Sequence, residues 1–287
     1  MDVFYCRMSL SVSLTNGNRR HTFVGYLLKF TSFADSKMKL ILALVLLLYC
    51  ECSGFKTISS RTAFRTSAKL SLTKRESIGE AAFHHIEFVC GDATTTSRHM
   101  MLCTGAELAA KSDLSTGNTA HSSYLVQTGD VKILVSAPSV GAPTPSDVSI
   151  QPFPHYSQLK SSNFMLKHGL SVSSVAIAVD DVPKAYQFMV NNGGKPVYSP
   201  TTVYDRDTTR GYCEMAEVSL YGDVSLRLVD TKHFKGAFLP NFADVKPSHA
   251  AQNKLGKYGI DRIDHVVGNV HSLQDTLGYM KRMMVRS

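Results

Sequence analysis

Phe83-His84-His85-Ile86-Glu87-Phe88-Val89-Cys90 reads as a short strand, followed by Asp92, a helical stretch to Cys103 and Gly105 beyond. The pattern recurs twice. Val172-Ser173-Ser174-Val175-Ala176-Ile177-Ala178-Val179 leads to Asp181, a helical stretch to Asn192 and Gly193-Gly194. Ile263-Asp264-His265-Val266-Val267-Gly268-Asn269-Val270 leads to a helical stretch ending at Met284. Aligning His85, Ser174 and His265 gives separations of 89 and 91 residues, so the chain repeats a supersecondary unit.

Local chemistry supports each helix. In the second, Asp181 can cap, Pro183 suits the first turn, and Ala185, Phe188 and Met189 share a face. Gly193 can close it in the left-handed conformation. In the third, Leu273, Leu277, Met280 and Met284 make an apolar stripe, with Asp275 early and Lys281 and Arg282 late, as the helix dipole prefers. Strands follow the first two helices. Residues 122–127 and 131–137 flank Thr128-Gly129-Asp130, and residues 217–221 and 224–229 flank Gly222-Asp223; both are hairpin signals. Each complete unit is therefore β-α-β-β(-β), an α+β architecture in which two units close a curved sheet with helices outside. Residues 139–168 and 231–258 are rich in Pro, Ser, Lys and Asn and read as linkers. The third unit has only its first strand and helix, which predicts an unpaired sheet edge and an uncovered apolar helix face.

Charge separates a leader from this body. Of the 287 residues, 1–78 hold twelve Lys/Arg and four Asp/Glu, whereas 79–287 hold nineteen of each. The net charge of +8 thus belongs to the leader, and the body carries no electrostatic footprint for nucleic acid or an anionic membrane. Met38-Lys39, the apolar run Leu40–Tyr49 and Cys52-Ser53-Gly54 follow a secretory signal pattern, too short to span a bilayer. Residues 56–75 are basic, rich in Ser/Thr and free of acids, as transit peptides are. The two in series resemble a bipartite plastid leader starting near Met38; a cytoplasmic protein with a disordered extension is the alternative. Residues 1–78 are expected to be largely disordered. The body's Cys90, Cys103 and Cys213 are odd in number and lack CxxC spacing, which predicts reduced cysteines packed as small hydrophobes.

The repeat resembles the vicinal-oxygen-chelate fold. Within that fold, the stretches around Phe83–Phe88, Leu108–Asn118, His121–Leu125, Leu220–Val224, Phe238-Leu239-Pro240 and Ile263–Val270 resemble 4-hydroxyphenylpyruvate dioxygenase of the plant and algal type. The likeness runs from about residue 79 to about residue 281. It implies a structural barrel of two modules over 79–235, a linker over 236–258, and the first strand and helix of a catalytic barrel over 259–287. It further implies Fe(II) held by two His and one Glu, an aromatic 2-oxo acid and O2 as partners, and homogentisate as product, in tyrosine catabolism. A homo-oligomer is compatible; nucleic acid and, in the mature form, membrane are not expected partners. His265 matches the first metal ligand by its surroundings, and Val267, two residues on, is carried over as a substrate-pocket residue. Hydroxymandelate synthase, with the same fold and ligands, and a non-catalytic barrel fragment are the alternatives.

Judged on residues alone, a single histidine on a strand is packed core far more often than a ligand, and only its motif lifts His265 above that. His84 and His85 occupy the equivalent strand of the first unit. The counterpart in the second unit is Ser174, and Arg227 stands near where a carboxylate would be needed, so no metal is expected there. His271 is expected to be solvated. Gly193-Gly194 follows a helix and cradles no phosphate, Asp180-Asp181 reads as a cap, and Cys213 has no evident base partner.

Overall fold

A computed structural model of the 287-residue chain describes residues 10–16, 19–24, 78, 81–139, 150–245, 258 and 260–284. The signal and transit segments read between Met38 and Arg75 lie outside the described residues. Two strands inside the leader are described, β1 (Leu10–Asn16) and β2 (Arg19–Val24), so the expectation of disorder does not hold for this hairpin.

The body begins with β3 (Ala81–Val89), α1 (Ala93–Thr104), β4 (Glu107–Ser112), β5 (His121–Thr128) and β6 (Val131–Pro138). Asp92 caps α1 by accepting from the Thr95 amide at 3.0 Å, and Gly105 closes it at φ 68°. After α2 (Gln158–His168), a second unit runs β7 (Ser171–Val179), α3 (Val182–Asn191), β8 (Pro196–Tyr204), β9 (Tyr212–Tyr221) and β10 (Val224–Asp230). Asp181 caps α3 through the Lys184 amide at 2.8 Å, with Pro183 in the first turn. Both hairpins turn on glycine with positive φ, Gly129 at 54° and Gly222 at 52°.

The nine-stranded sheet has the order β11-β4-β5-β6-β3-β7-β10-β9-β8, where β11 is Ala243–Asp244. Each unit contributes a block in which its first and last strands pair in parallel, β3 with β6 and β7 with β10. The two blocks join antiparallel through β3 and β7, with Glu87 opposite Ser174. This is the repeated β-α-β-β-β vicinal-oxygen-chelate plan that the sequence implied. Strand side chains alternate, so each strand feeds two cores. Ile86, Val126, Val175, Val218, Leu226 and Leu228 face the helices. Leu125, Leu134, Ala176, Met215 and Val229 face the other side of the sheet, where Phe153, Phe238, Leu239 and Phe242 fill it.

Three expectations need correction. The stretch 139–168 contains α2, because Ser157 caps it and Phe164 gives it an apolar contact over the inner face. The stretch 236–258 is not simply a linker: Phe238, Leu239 and Phe242 are buried in the inner core, and β11 adds to β4. The opening strand and helix of the third unit, β12 (Ile260–Val266) and α4 (Leu273–Met284), are not left without partners. β12 pairs antiparallel with β1, in a three-stranded sheet β12-β1-β2. Ile263, Val266, Met280 and Met283 join the helix-side core. Tyr279 Oη donates to the Ser219 carbonyl at 2.7 Å and accepts from the Lys195 amide at 3.1 Å, which fixes α4 beside α3. Of the cysteines, Cys90 and Cys213 are buried as expected, whereas Cys103 lies exposed on α1. Among the described residues no helix is long and apolar enough to cross a membrane.

Candidate functional site

His265 lies near the end of β12, and Val267 just past it; both side chains are half-buried. Gly268 passes so close to the Tyr221 ring that a Cβ would collide with it, which holds this corner against the barrel. His265 Nδ1 meets the Asp264 carboxylate at 3.0 Å, with 42% and 45% of the two side chains exposed. Among the described residues no three His, Cys, Asp or Glu side chains converge as a metal cage. One imidazole with one flanking carboxylate is fewer than the facial set of three protein ligands that Fe(II) takes. His271 is exposed at the start of α4, as expected.

The converging polar groups lie elsewhere, on the inner face of the first barrel. Period-two strands bring Glu87 from β3, Ser136 from β6, Ser174 from β7, Glu217 from β9 and Arg227 from β10 to one place. Arg227 is the hub. Its Nε donates to Glu217 at 2.6 Å, one Nη to Glu87 at 2.7 Å and the other to His85 Nε2 at 3.0 Å. Ser136 and Ser174 donate to the same Glu87 carboxylate at 2.7 and 3.3 Å. The Phe153 ring lies 4.3 Å from the guanidinium carbon, a cation–π contact. Burial alone would raise the Glu87 pKa, but Arg227 and the Ser136 hydrogen bond outweigh it and hold the pKa below the usual carboxylate range.

Arg227 also fixes two tautomers. A guanidinium only donates, so His85 Nε2 must accept and His85 carries its proton on Nδ1. That proton points at His84 Nδ1, 2.7 Å away, so His84 is protonated on Nε2. Both rings are then neutral. Burial first, then nearby charges including Arg227, lowers the His84 pKa to about 3 and the His85 pKa well below its ordinary value. His121, bonded to Ser123 at 2.8 Å, falls to about 4, mostly through burial. The pair is thus a packed extension of the arginine cluster.

α2 and the inner strands enclose a cleft of about 420 Å³ over this cluster. Glu87, Glu217 and Arg227 form its floor, Tyr156 and Tyr198 its walls, and the exposed Lys160 its rim. Sequence reading noted Arg227 but gave no role to Glu87 or Glu217. The available signal was three ionisable residues at inward positions of otherwise apolar strands.

No family model matches the chain. Curated relatives do. The chain is 44% identical over 202 residues to 4-hydroxyphenylpyruvate dioxygenase of Plectranthus scutellarioides, covering 70% of this chain and 44% of that protein. It is 42% identical over 199 residues to the enzyme so named from Daucus carota, covering 69% and 43%. For Arabidopsis thaliana the figures are 40% over 235 residues, covering 79% and 49%. The chain therefore spans about half the length of the curated relatives it matches. Among solved structures, a mutant 4-hydroxymandelate synthase from Streptomyces coelicolor gives a TM-score of 0.45 at 20% identity, covering 61% of this chain and 44% of that one. Methylmalonyl-CoA epimerase from Mycobacterium tuberculosis gives 0.36 at 15% identity, covering 52% and 86%.

Proposed function

We infer the function from homology to the 4-hydroxyphenylpyruvate dioxygenases, at 40–44% identity over most of this chain. From it we propose that the whole protein is a non-haem Fe(II) dioxygenase that converts 4-hydroxyphenylpyruvate and O2 to homogentisate and CO2. In this reading residues 81–244 form a scaffold barrel, and β12 and α4 open the catalytic one. His265 is one iron ligand and Val267 lines the pocket; the remaining ligands lie outside the described residues. The observation that carries the reading is the third repeat, with the histidine of the motif on its opening strand. A role in tyrosine catabolism and delivery to the plastid through the leader belong to the same proposal.

The test uses the longest product of the gene, loaded with Fe(II). Homogentisate should form from 4-hydroxyphenylpyruvate, and His265→Ala should abolish it together with stoichiometric iron. Homogentisate formation unchanged by His265→Ala refutes the assignment; 4-hydroxymandelate as product replaces it with the synthase reading.

A further inference from the structure

We propose that the inner cleft of the first barrel binds a small organic ammonium ion carrying an apolar body. The inference is independent of the dioxygenase reading, because the cleft and β12 are built from different strands. At about 420 Å³ the cleft has the dimensions of a ligand site. Its floor sets two carboxylates, Glu87 and Glu217, against one guanidinium, Arg227, and all three are less than a tenth exposed. One negative charge is left over. His84 and His85 do not balance it, since their hydrogen bonds and burial keep them neutral. Lys132 does not line the cleft; its charge acts on His84 and His85 from outside it, with the Asp130 carboxylate offsetting it in part.

The cleft also holds unsatisfied atoms. Tyr156 Oη, Tyr198 Oη and Ser161 Oγ are buried without a well-formed hydrogen bond, although Ser161 lies beside Tyr156 and Arg227 beside Tyr198. Such groups are normally paired, and leaving one unpaired costs roughly 1–3 kcal/mol. Each is a hydroxyl with one donor and two lone pairs, and the neighbouring carboxylates accept only, so the cleft holds more acceptor capacity than free donors. A primary ammonium group supplies three donors and the missing positive charge together. A neutral alcohol supplies one donor and no charge, and an anion would face the two carboxylates. Phe164 and Tyr198 offer aromatic surface for an apolar body and for the cation itself. Lys160, at the rim, is exposed, so solvent and salt screen its repulsion.

Calorimetric titration of the purified full chain tests the proposal with three ligands of one shape: 2-phenylethylammonium, 2-phenylethanol and phenylacetate. The ammonium should bind saturably at one site, the alcohol at least about tenfold more weakly, and phenylacetate not at all. Glu217→Gln should bring the ammonium down to the level of the alcohol. Lys160→Glu, on the exposed rim, leaves the fold intact and should tighten the ammonium several-fold at low salt; it reads the site if Glu217→Gln fails to fold. Alcohol binding as tight as the ammonium, any binding of phenylacetate, or no ammonium binding by wild type and Lys160→Glu overturns the proposal. In the last case ordered water alone satisfies the three hydroxyls.

Discussion

Arg227 holds two buried carboxylates and one imidazole, so its removal reads the energetics of the barrel interior directly. Arg227→Met keeps the length of the side chain and deletes three charged hydrogen bonds of 2.6, 2.7 and 3.0 Å. Glu87 and Glu217 remain, 6% and 7% exposed, with no cation beside them. Breaking a buried pair from one side costs about 3–5 kcal/mol, because the stranded charge loses its partner without regaining water. The cost should depend on pH in a defined sense. In the wild type the Glu87 pKa is lowered by folding, so its contribution is present above the ordinary carboxylate range and lost as pH falls through it. In Arg227→Met the same carboxyl is buried without its cation, its pKa rises, and folding is favoured by protonation. The gap between the proteins should therefore be widest at neutral pH and narrow on acidification. Urea unfolding followed by far-ultraviolet circular dichroism suits a chain without tryptophan. A difference under about 1 kcal/mol at neutral pH, or one unchanged at about pH 4.5, would refute the reasoning. Replacing Glu87 and Glu217 by Gln in the same variant should regain part of the loss.

Three further outcomes are expected. His84 at about 3, His85 well below its ordinary value and His121 at about 4 all start from 6.5, so the unfolded chain takes up protons first as pH falls. Stability should drop by up to about 4 kcal/mol per pH unit from about one pH unit below the ordinary histidine pKa; a flat profile there contradicts three buried neutral imidazoles. Gly211→Ala should cost at least about 2 kcal/mol, since φ is 87° and the new Cβ meets the His233 carbonyl oxygen, which is backbone and cannot swing away; an unchanged melting temperature argues against this. Met283→Ala empties a fully buried site against Gly194 and should weaken the docking of α4 by about 2–5 kcal/mol. Hydrogen exchange should then show faster exchange in α4 with the barrel strands unchanged, and equal protection of α4 in both proteins would contradict the packing.

Much of the fold was legible because repeated units repeat their local chemistry. Asp181 caps as the sequence implied, Asp92 does the same for the first helix, and Gly129 and Gly222 turn the two hairpins. The element α2 was hidden by polar composition: it buries no residue fully, so it shows little apolar periodicity, and its ends are fixed by the Ser157 cap and by Lys167 and His168 on Asp223. Phe238, Leu239 and Phe242 looked like linker residues, because an isolated apolar triplet in a polar segment has no period to read. The edge of β12 looked unpaired because its partner, β1, lies some 250 residues away in the sequence, in a segment with leader composition.

For the candidate sites the division is sharper. The family resemblance singles out His265 as an expected ligand, because the strand and flanking turn that carry it are local features. The cluster around Arg227 was not readable in that way. Glu87 and Arg227 are 140 positions apart, and neither looks unusual beside its sequence neighbours. Alternation along a strand tells which side chains share a face, but not which strands meet. The antiparallel join of β3 to β7 and the parallel pairing of β7 with β10 bring the two charges to one point, and low-dielectric burial then makes their pairing obligatory.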